Sequence, residues 1–154
     1  MNTQKLIDLL MQKNYKIASA ESCTGGLFAS TIISHPNTSA IIDLSIVTYA
    51  NEAKIKYVNV NPKTIEKYGV VSEEVAGEMS VGIATVSGAN VGVSFSGIAG
   101  PTGATKTKPV GMVCIGLCIN GSLSTYTNYF KGDRTSIRTQ SVEFAINKLI
   151  ELLQ

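Results

Sequence analysis

The chain has no tryptophan, one histidine and three cysteines among its 154 residues. With His35 as the only imidazole, standing beside Pro36 and reading as an exposed helix-end residue, no His-based triad or His ligand set is available. Cys114 and Cys118 lie four apart in a strand-like run and face the same side. At about 3.3 Å per residue they are roughly 13 Å apart, too far for a disulfide, which needs Cα atoms within about 7 Å. No Lys/Arg run or aromatic-basic interleaving occurs, and the formal charge is only +2, so nucleic acid is excluded as the expected partner. No apolar run approaches the roughly 20 residues that cross a bilayer, and the first residues read as a polar helix former rather than a signal peptide. The expectation is a soluble cytoplasmic protein, one domain over residues 1–154, with no membrane partner, no metal and no cofactor.

What the chain does have is concentrated in Ala20-Glu21-Ser22-Cys23-Thr24-Gly25-Gly26. An apolar run, Lys16 to Ala20, precedes it and a helix-like run, Leu27 to Ser34, follows, so the context is strand, tight loop, helix. The glycines let backbone come close to a ligand, and the first-turn N–H groups of the helix lack intrahelical partners, which suits an anion. The plainer reading is a well-capped turn with Thr24 as N-cap.

Elsewhere the pattern alternates. Leu6, Leu9, Leu10 and Lys13 fall at helical spacing, and Asp43–Ala50 is β-branched and apolar, a second strand. Asn51 reads as the N-cap of a short helix that carries Lys54, whose plainer reading is a solvated surface lysine. Asn61-Pro62 opens another short helix. Ser72 caps a longer one with Val75, Ala76, Met79, Ile83 and Val86 on one face, weakened by Gly77 and Gly82. Val91–Phe95 is a third strand, and a glycine-rich loop follows it through Pro109, long enough to suggest function. Asn120-Gly121 between β-rich runs signals a hairpin. Gly132-Asp133 caps a final helix from Arg134 to Leu153, whose apolar face includes Ile137, Phe144 and Leu152. Arg134 and Arg138 sit near its start, where the helix dipole disfavours cations. An anion gripped there is one reason for them; solvation is another.

This order predicts an α/β fold, three-layer α/β/α, with a mixed, mostly parallel sheet and one antiparallel hairpin. If the strands before Ser22 and before the glycine-rich loop are parallel, both loops meet at the sheet edge where open α/β sheets bind ligands.

Three stretches carry a resemblance: Ala20 to Gly26; Val47-Thr48-Tyr49-Ala50-Asn51-Glu52-Ala53-Lys54; and Ser96-Gly97-Ile98-Ala99-Gly100-Pro101 with Lys108-Pro109-Val110-Gly111. Together with Gly69-Val70-Val71-Ser72 and Gly132-Asp133-Arg134 they resemble the CinA C-terminal domain family over nearly the whole chain. The resemblance implies a nicotinamide-nucleotide amidase, hydrolysing nicotinamide mononucleotide to nicotinate mononucleotide and ammonia in pyridine nucleotide recycling, in the form that lacks a preceding molybdopterin-binding-like domain. The stretch Thr102 to Thr107 and Tyr68 depart from the family pattern and bear on fine substrate contacts.

Amide hydrolysis needs a nucleophile, a base and oxyanion donors. Without a usable His or metal set, a Ser-Lys pair is the economical answer: Ser22 as nucleophile and Lys54 as base, positions the resemblance supports, with Tyr49 orienting or relaying. Cys23 is the rival nucleophile, its plainer reading a small apolar filler; Glu21 and Ser96 are further candidate substrate contacts, and Glu21 is the next candidate base. The N–H groups of Cys23, Thr24, Gly25 and Gly26, or of Gly97, Ile98, Ala99 and Gly100 beside Ser96, are candidate oxyanion or phosphate donors. Arg134 or Arg138 is a candidate phosphate partner. A homo-oligomer is expected, as for most small enzymes of this kind. A catalytically silent nucleotide-binding or protein-interaction module of the competence or damage-inducible type is the alternative function.

Overall fold

The computed structural model describes residues 1–154 throughout. Eleven elements follow one another: α1 (Thr3–Lys13), β1 (Ile17–Glu21), α2 (Leu27–Ile33), β2 (Ser45–Val47), α3 (Asn51–Val58), α4 (Pro62–Tyr68), α5 (Glu73–Ser87), β3 (Val91–Gly97), β4 (Met112–Ile119), β5 (Ser122–Tyr129) and α6 (Arg134–Leu153). The sheet order is β2-β1-β3-β4-β5. β1 runs parallel to both β2 and β3, whereas β4 is antiparallel to β3 and to β5. The sheet is therefore mixed, as the element order predicts. The hairpin turn has Asn120 and Gly121 both at positive φ, the geometry that matches strand twist in a two-residue connection.

Alternation along the strands builds two main cores of unequal size, with a small third cluster of Val71, Ala76, Ile98 and Cys114. Val91, Val93 and Phe95 of β3, with Val113, Ile115 and Leu117 of β4, face α1, α2 and α6 in the main cluster of 22 buried residues. On the opposite face Ala18 and Ala20 meet Val75, Met79 and Ile83 of α5, Val58 at the end of α3 and Val60 just after it, in a cluster of seven. That second face is lined by small residues, so α5 lies close to the sheet: a Cβ on Gly92 would stand 2.1 Å from the Ser80 carbonyl oxygen. The glycines that weaken α5 as an isolated helix are what let it pack. At Gly82 a Cβ would stand 1.8 Å from the carbonyl oxygen of Val58. Val86 and Leu152, expected on the buried faces, are 48% and 44% exposed, each in the last turn of its helix where the packed stripe ends.

Capping follows the sequence signals at three helices. Asn61 accepts from the Lys63 N–H, Ser72 from Val75 and Asp133 from Ser136. It fails at two. Gly26, not Thr24, occupies the N-cap of α2 at φ 97°, and Ala50, not Asn51, precedes α3. β2 is shorter than Asp43–Ala50 because the chain leaves the ladder after Val47 and turns the next carbonyls inward.

Helix propensity alone favours Gly82→Ala by about 1 kcal/mol. Overpacking against a backbone carbonyl reverses the sign, and the expected result is net destabilisation of about 2 kcal/mol in urea denaturation.

Candidate active site

β1 and β3 are adjacent and parallel, so the loops that leave them meet at one sheet edge. The Ser22 N–H donates to the carbonyl of Phe95 at 3.0 Å, tying the two strand ends together. Between the loops lies a cavity of about 320 Å³. Ser22, Cys23 and Tyr49 lie on one side of it, Gly97, Ile98 and Ala99 come from the glycine-rich loop, and Val70 and Val71 come from the turn before α5. A larger groove of about 500 Å³ between α5 and β5 contains Glu73, Glu74 and Glu78 but no Ser-Lys pair. Ser22 lines the smaller cavity, and Lys54 contacts Ser22 from behind the wall.

Lys54 is 1% exposed. Its Nζ donates to the carbonyls of Thr48 at 2.7 Å and Tyr49 at 3.0 Å, and lies 3.2 Å from Ser22 Oγ. The first turn of α3 brings it there from beside the inturned carbonyls that end β2. Burial in a weakly polar setting lowers its pKa from 10.5 to about 8; the nearby Cys23 acts in the opposite direction. A neutral Lys54 amine has two N–H groups for the two carbonyls and a lone pair left for the Ser22 hydroxyl proton. The protonated form has three N–H groups and donates to all three oxygens. One proton thus reverses the direction of the Ser22–Lys54 bond.

Glu21 takes a place quite different from the one expected. It is fully buried. Its carboxylate accepts from the Gly26, Phe28 and Ala29 N–H groups at 3.0–3.2 Å and from the hydroxyls of Thr24 at 2.7 Å and Ser19 at 2.9 Å. The N-terminus of α2, read from the sequence as an anion site, already holds the chain's own anion. Glu21 has five donors and no free approach to substrate, so it is neither a ligand residue nor a spare base. Thr24 and Gly26 share that network, and the Gly25 N–H donates to the carbonyl of Ser22. None of these three is turned to the cavity. Outside this network, the N–H groups of Cys23 and Ala99, both on the cavity wall, have no oxygen acceptor within the chain.

Other expectations divide. The Cys23 thiol is buried, and burial pushes its pKa up to about 12, so it is a thiol and not a thiolate at neutral pH. Tyr49 contributes its carbonyl to Lys54; its side chain is 61% exposed at the cavity mouth, and no hydroxyl bond relays a proton. Ser96 is buried and donates to the Val70 carbonyl at 2.7 Å, away from the cavity. Gly100 offers its carbonyl to Arg134 Nη1 at 2.8 Å, and Arg134 lines the cavity. Arg138 donates through Nε to Cys23 O at 3.1 Å and through Nη2 to Thr24 O at 2.8 Å, so it braces the Ser22 loop from α6 instead of lining the cavity. Sequence reasoning missed Thr48, which acts through a main-chain oxygen and carries no side-chain signal. It noted Gly69 to Ser72 as a motif without recognising Val70 and Val71 as a wall. No group of three or more His, Cys, Asp or Glu side chains is arranged to hold a metal ion.

A three-layer α/β/α domain with a serine and a buried lysine at the meeting of two strand-end loops is the class these features define. The model of the CinA C-terminal domain matches residues 2–153, and the chain belongs to that family. It is 45% identical over 141 residues to a competence-damage inducible protein of Clostridium novyi, covering 92% of this chain and 34% of that one. It is 48% identical over 139 residues to the corresponding protein of Clostridium acetobutylicum, covering 90% and 34%. The chain thus spans about a third of the length of the curated relatives it matches. Among solved structures, a CinA superfamily protein of Klebsiella pneumoniae superposes with a TM-score of 0.95 at 34% identity, covering 98% of this chain and 94% of that one. A competence/damage inducible protein of Agrobacterium tumefaciens gives 0.95 at 36%, covering 99% and 93%. No helix is long and apolar enough to cross a membrane.

Lys54 couples pH to stability with a definite sign. Between about 8 and 10.5 the unfolded chain holds this proton and the folded chain does not, so stability rises with pH through that window and is depressed below it. In urea denaturation from about pH 7 to about pH 11, the difference between the wild type and Lys54→Met should move in favour of the wild type by about 3 kcal/mol. A difference independent of pH would mean that Lys54 keeps an ordinary pKa.

Proposed function

We propose that this chain is a single amidase domain that hydrolyses nicotinamide mononucleotide to nicotinate mononucleotide and ammonia by a Ser-Lys mechanism. The observation that carries the reading is the 3.2 Å contact between Ser22 Oγ and an enclosed Lys54 Nζ whose pKa is lowered to about 8. An amine with that pKa has a useful neutral fraction at neutral pH and a position to accept the serine proton. The family resemblance supplies the substrate; the relatives' names speak only of competence and damage induction.

In this reading neutral Lys54 takes the proton of Ser22 as Oγ attacks the carboxamide carbon. The carbonyl oxygen becomes the oxyanion, for which cavity-wall N–H groups without an acceptor in the chain, those of Cys23 and Ala99 among them, are candidate donors. Collapse breaks the C–N bond, Lys54 passes its proton to the departing nitrogen, and ammonia leaves an acyl ester on Ser22. Water, deprotonated by Lys54, attacks the ester and releases the carboxylate and the serine hydroxyl. Val70, Val71 and Ile98 offer the pyridine ring an apolar wall, and the exposed guanidinium of Arg134 suits the phosphate.

The test is ammonia release from nicotinamide mononucleotide by purified protein. The rate should rise with pH through about 8. Ser22→Ala should bind substrate but turn over at no pH. Lys54→Arg should lose at least about a hundredfold in kcat, because guanidinium stays protonated, with substrate affinity little changed. Near wild-type turnover in Lys54→Arg would remove Lys54 as the base. Absence of ammonia from folded wild-type protein at neutral and alkaline pH would favour the binding module that the relatives' names suggest.

Cys23 has a separate test. As buried packing with a pKa of about 12, it should be replaceable: Cys23→Ala should keep most of the turnover. Complete loss at unchanged thermal stability would move the nucleophile to the thiol.

A further inference from the structure

The segment Lys108-Pro109-Val110-Gly111 has no part in the hydrolysis above, yet Lys108 makes two of the shortest side-chain contacts near the cavity. Its Nζ donates to the carbonyls of Tyr68 and Val71, each at 2.7 Å. Ser96 Oγ donates to the Val70 carbonyl at 2.7 Å and Ser72 Oγ to that of Gly69 at 2.8 Å. Every carbonyl from residue 68 to 71 is therefore held by a side chain. That turn carries Val70 and Val71, one wall of the cavity, and the loop that bears Lys108 carries Ile98 and Ala99, another. The lysine's own loop is clasped locally, with Thr105 N donating to Lys108 O and Lys108 N to Thr105 Oγ1.

Gly69 provides an independent observation. Its φ is +79°, and a Cβ there would stand 2.6 Å from Lys108 Nζ. The glycine satisfies the backbone and also leaves the seat in which the lysine head rests. Lys108 does not itself line the cavity.

We propose that Lys108 is a positioning residue, a strut that pins the glycine-rich loop to the turn at residues 68–71 and so sets the width of the slot holding the substrate against Ser22. The substrate part of this inference rests on the amidase reading; the strut does not. Loss of the strut loosens both walls but leaves the Ser22–Lys54 pair, which is held by β1 and the first turn of α3. Binding should suffer more than chemistry, which feels the change only through the Ala99 N–H on the loosened loop.

The experiment compares wild type with Lys108→Met, which keeps the stem and removes the donors, and with Lys108→Gln, which keeps a shorter donor in case the first variant folds poorly. With nicotinamide mononucleotide as substrate, Lys108→Met should raise KM at least about tenfold, while kcat falls by less than KM rises and its pH midpoint is unmoved. Lys108→Gln should fall between. A role in fold stability alone would lower Tm and leave KM per folded molecule unchanged. Hydrogen exchange on the same proteins does not depend on turnover: the amides of Gly69, Thr105 and Lys108 should exchange at least about tenfold faster in Lys108→Met, with β1 and β3 unaffected. A KM within about twofold of wild type, or unchanged exchange at those three amides, overturns the proposal. If wild type releases no ammonia, the amidase reading has failed. Exchange then decides alone: lost protection supports the strut and retained protection overturns it.

Discussion

The buried carboxylate of Glu21 is the interaction on which the rest of this structure depends. A fully buried charge is tolerated only when its lone pairs are filled, and here three helix-terminal N–H groups and two hydroxyls fill them. That network fixes where α2 begins, and with it the path of residues 22–25 between strand and helix. The backbone of Glu21 works in the same direction: its carbonyl accepts from the Thr48 N–H at 2.8 Å, which sets where the chain leaves β2. Both partners of the Ser22–Lys54 contact are thus positioned from one residue, the first through its side chain and the second through its main chain.

Lys54 is the opposite case, a buried cation whose environment does not fully compensate it. Two carbonyls and a hydroxyl accept from it, but no carboxylate hydrogen-bonds or ion-pairs with it. Dipoles hold the amine in place, and desolvation keeps its proton loosely bound. A carboxylate partner would have raised the pKa and closed the route to a neutral amine. The depression is a strain on the fold near neutral pH, located at the site where the proposed chemistry needs it.

The layer of small residues between α5 and the sheet has its own role in this arrangement. Close packing of α5 brings the preceding turn, Gly69 to Ser72, against the end of β3, where Ser96 holds it. The cavity therefore has walls from five separate parts of the chain, and the Ser22 loop, the turn before α5 and the glycine-rich loop are each anchored by polar bonds to main-chain carbonyls rather than by apolar contact alone.

Much of the architecture was legible beforehand because it rests on local signals. The helix caps at Asn61, Ser72 and Asp133, the Asn120-Gly121 turn and the alternation of strands with amphipathic helices act within a few residues, and the mixed α/β sheet follows from their order. The proximity of the Ser22 and Gly97 loops also followed, since parallel neighbours place their ends together. What the sequence could not determine was how each polar group is used. Glu21, Thr24 and Gly26 read as a ligand cradle, and only the tertiary structure turned the carboxylate back into its own helix. Arg138 read as a phosphate partner, and α6 packing directed it to the carbonyls of Cys23 and Thr24. Lys54 read by itself as a surface lysine, because its burial comes from elements distant in the chain. Residue type and spacing establish which chemical groups are present; the direction of each hydrogen bond, and hence which groups remain free for a substrate, is decided by long-range packing.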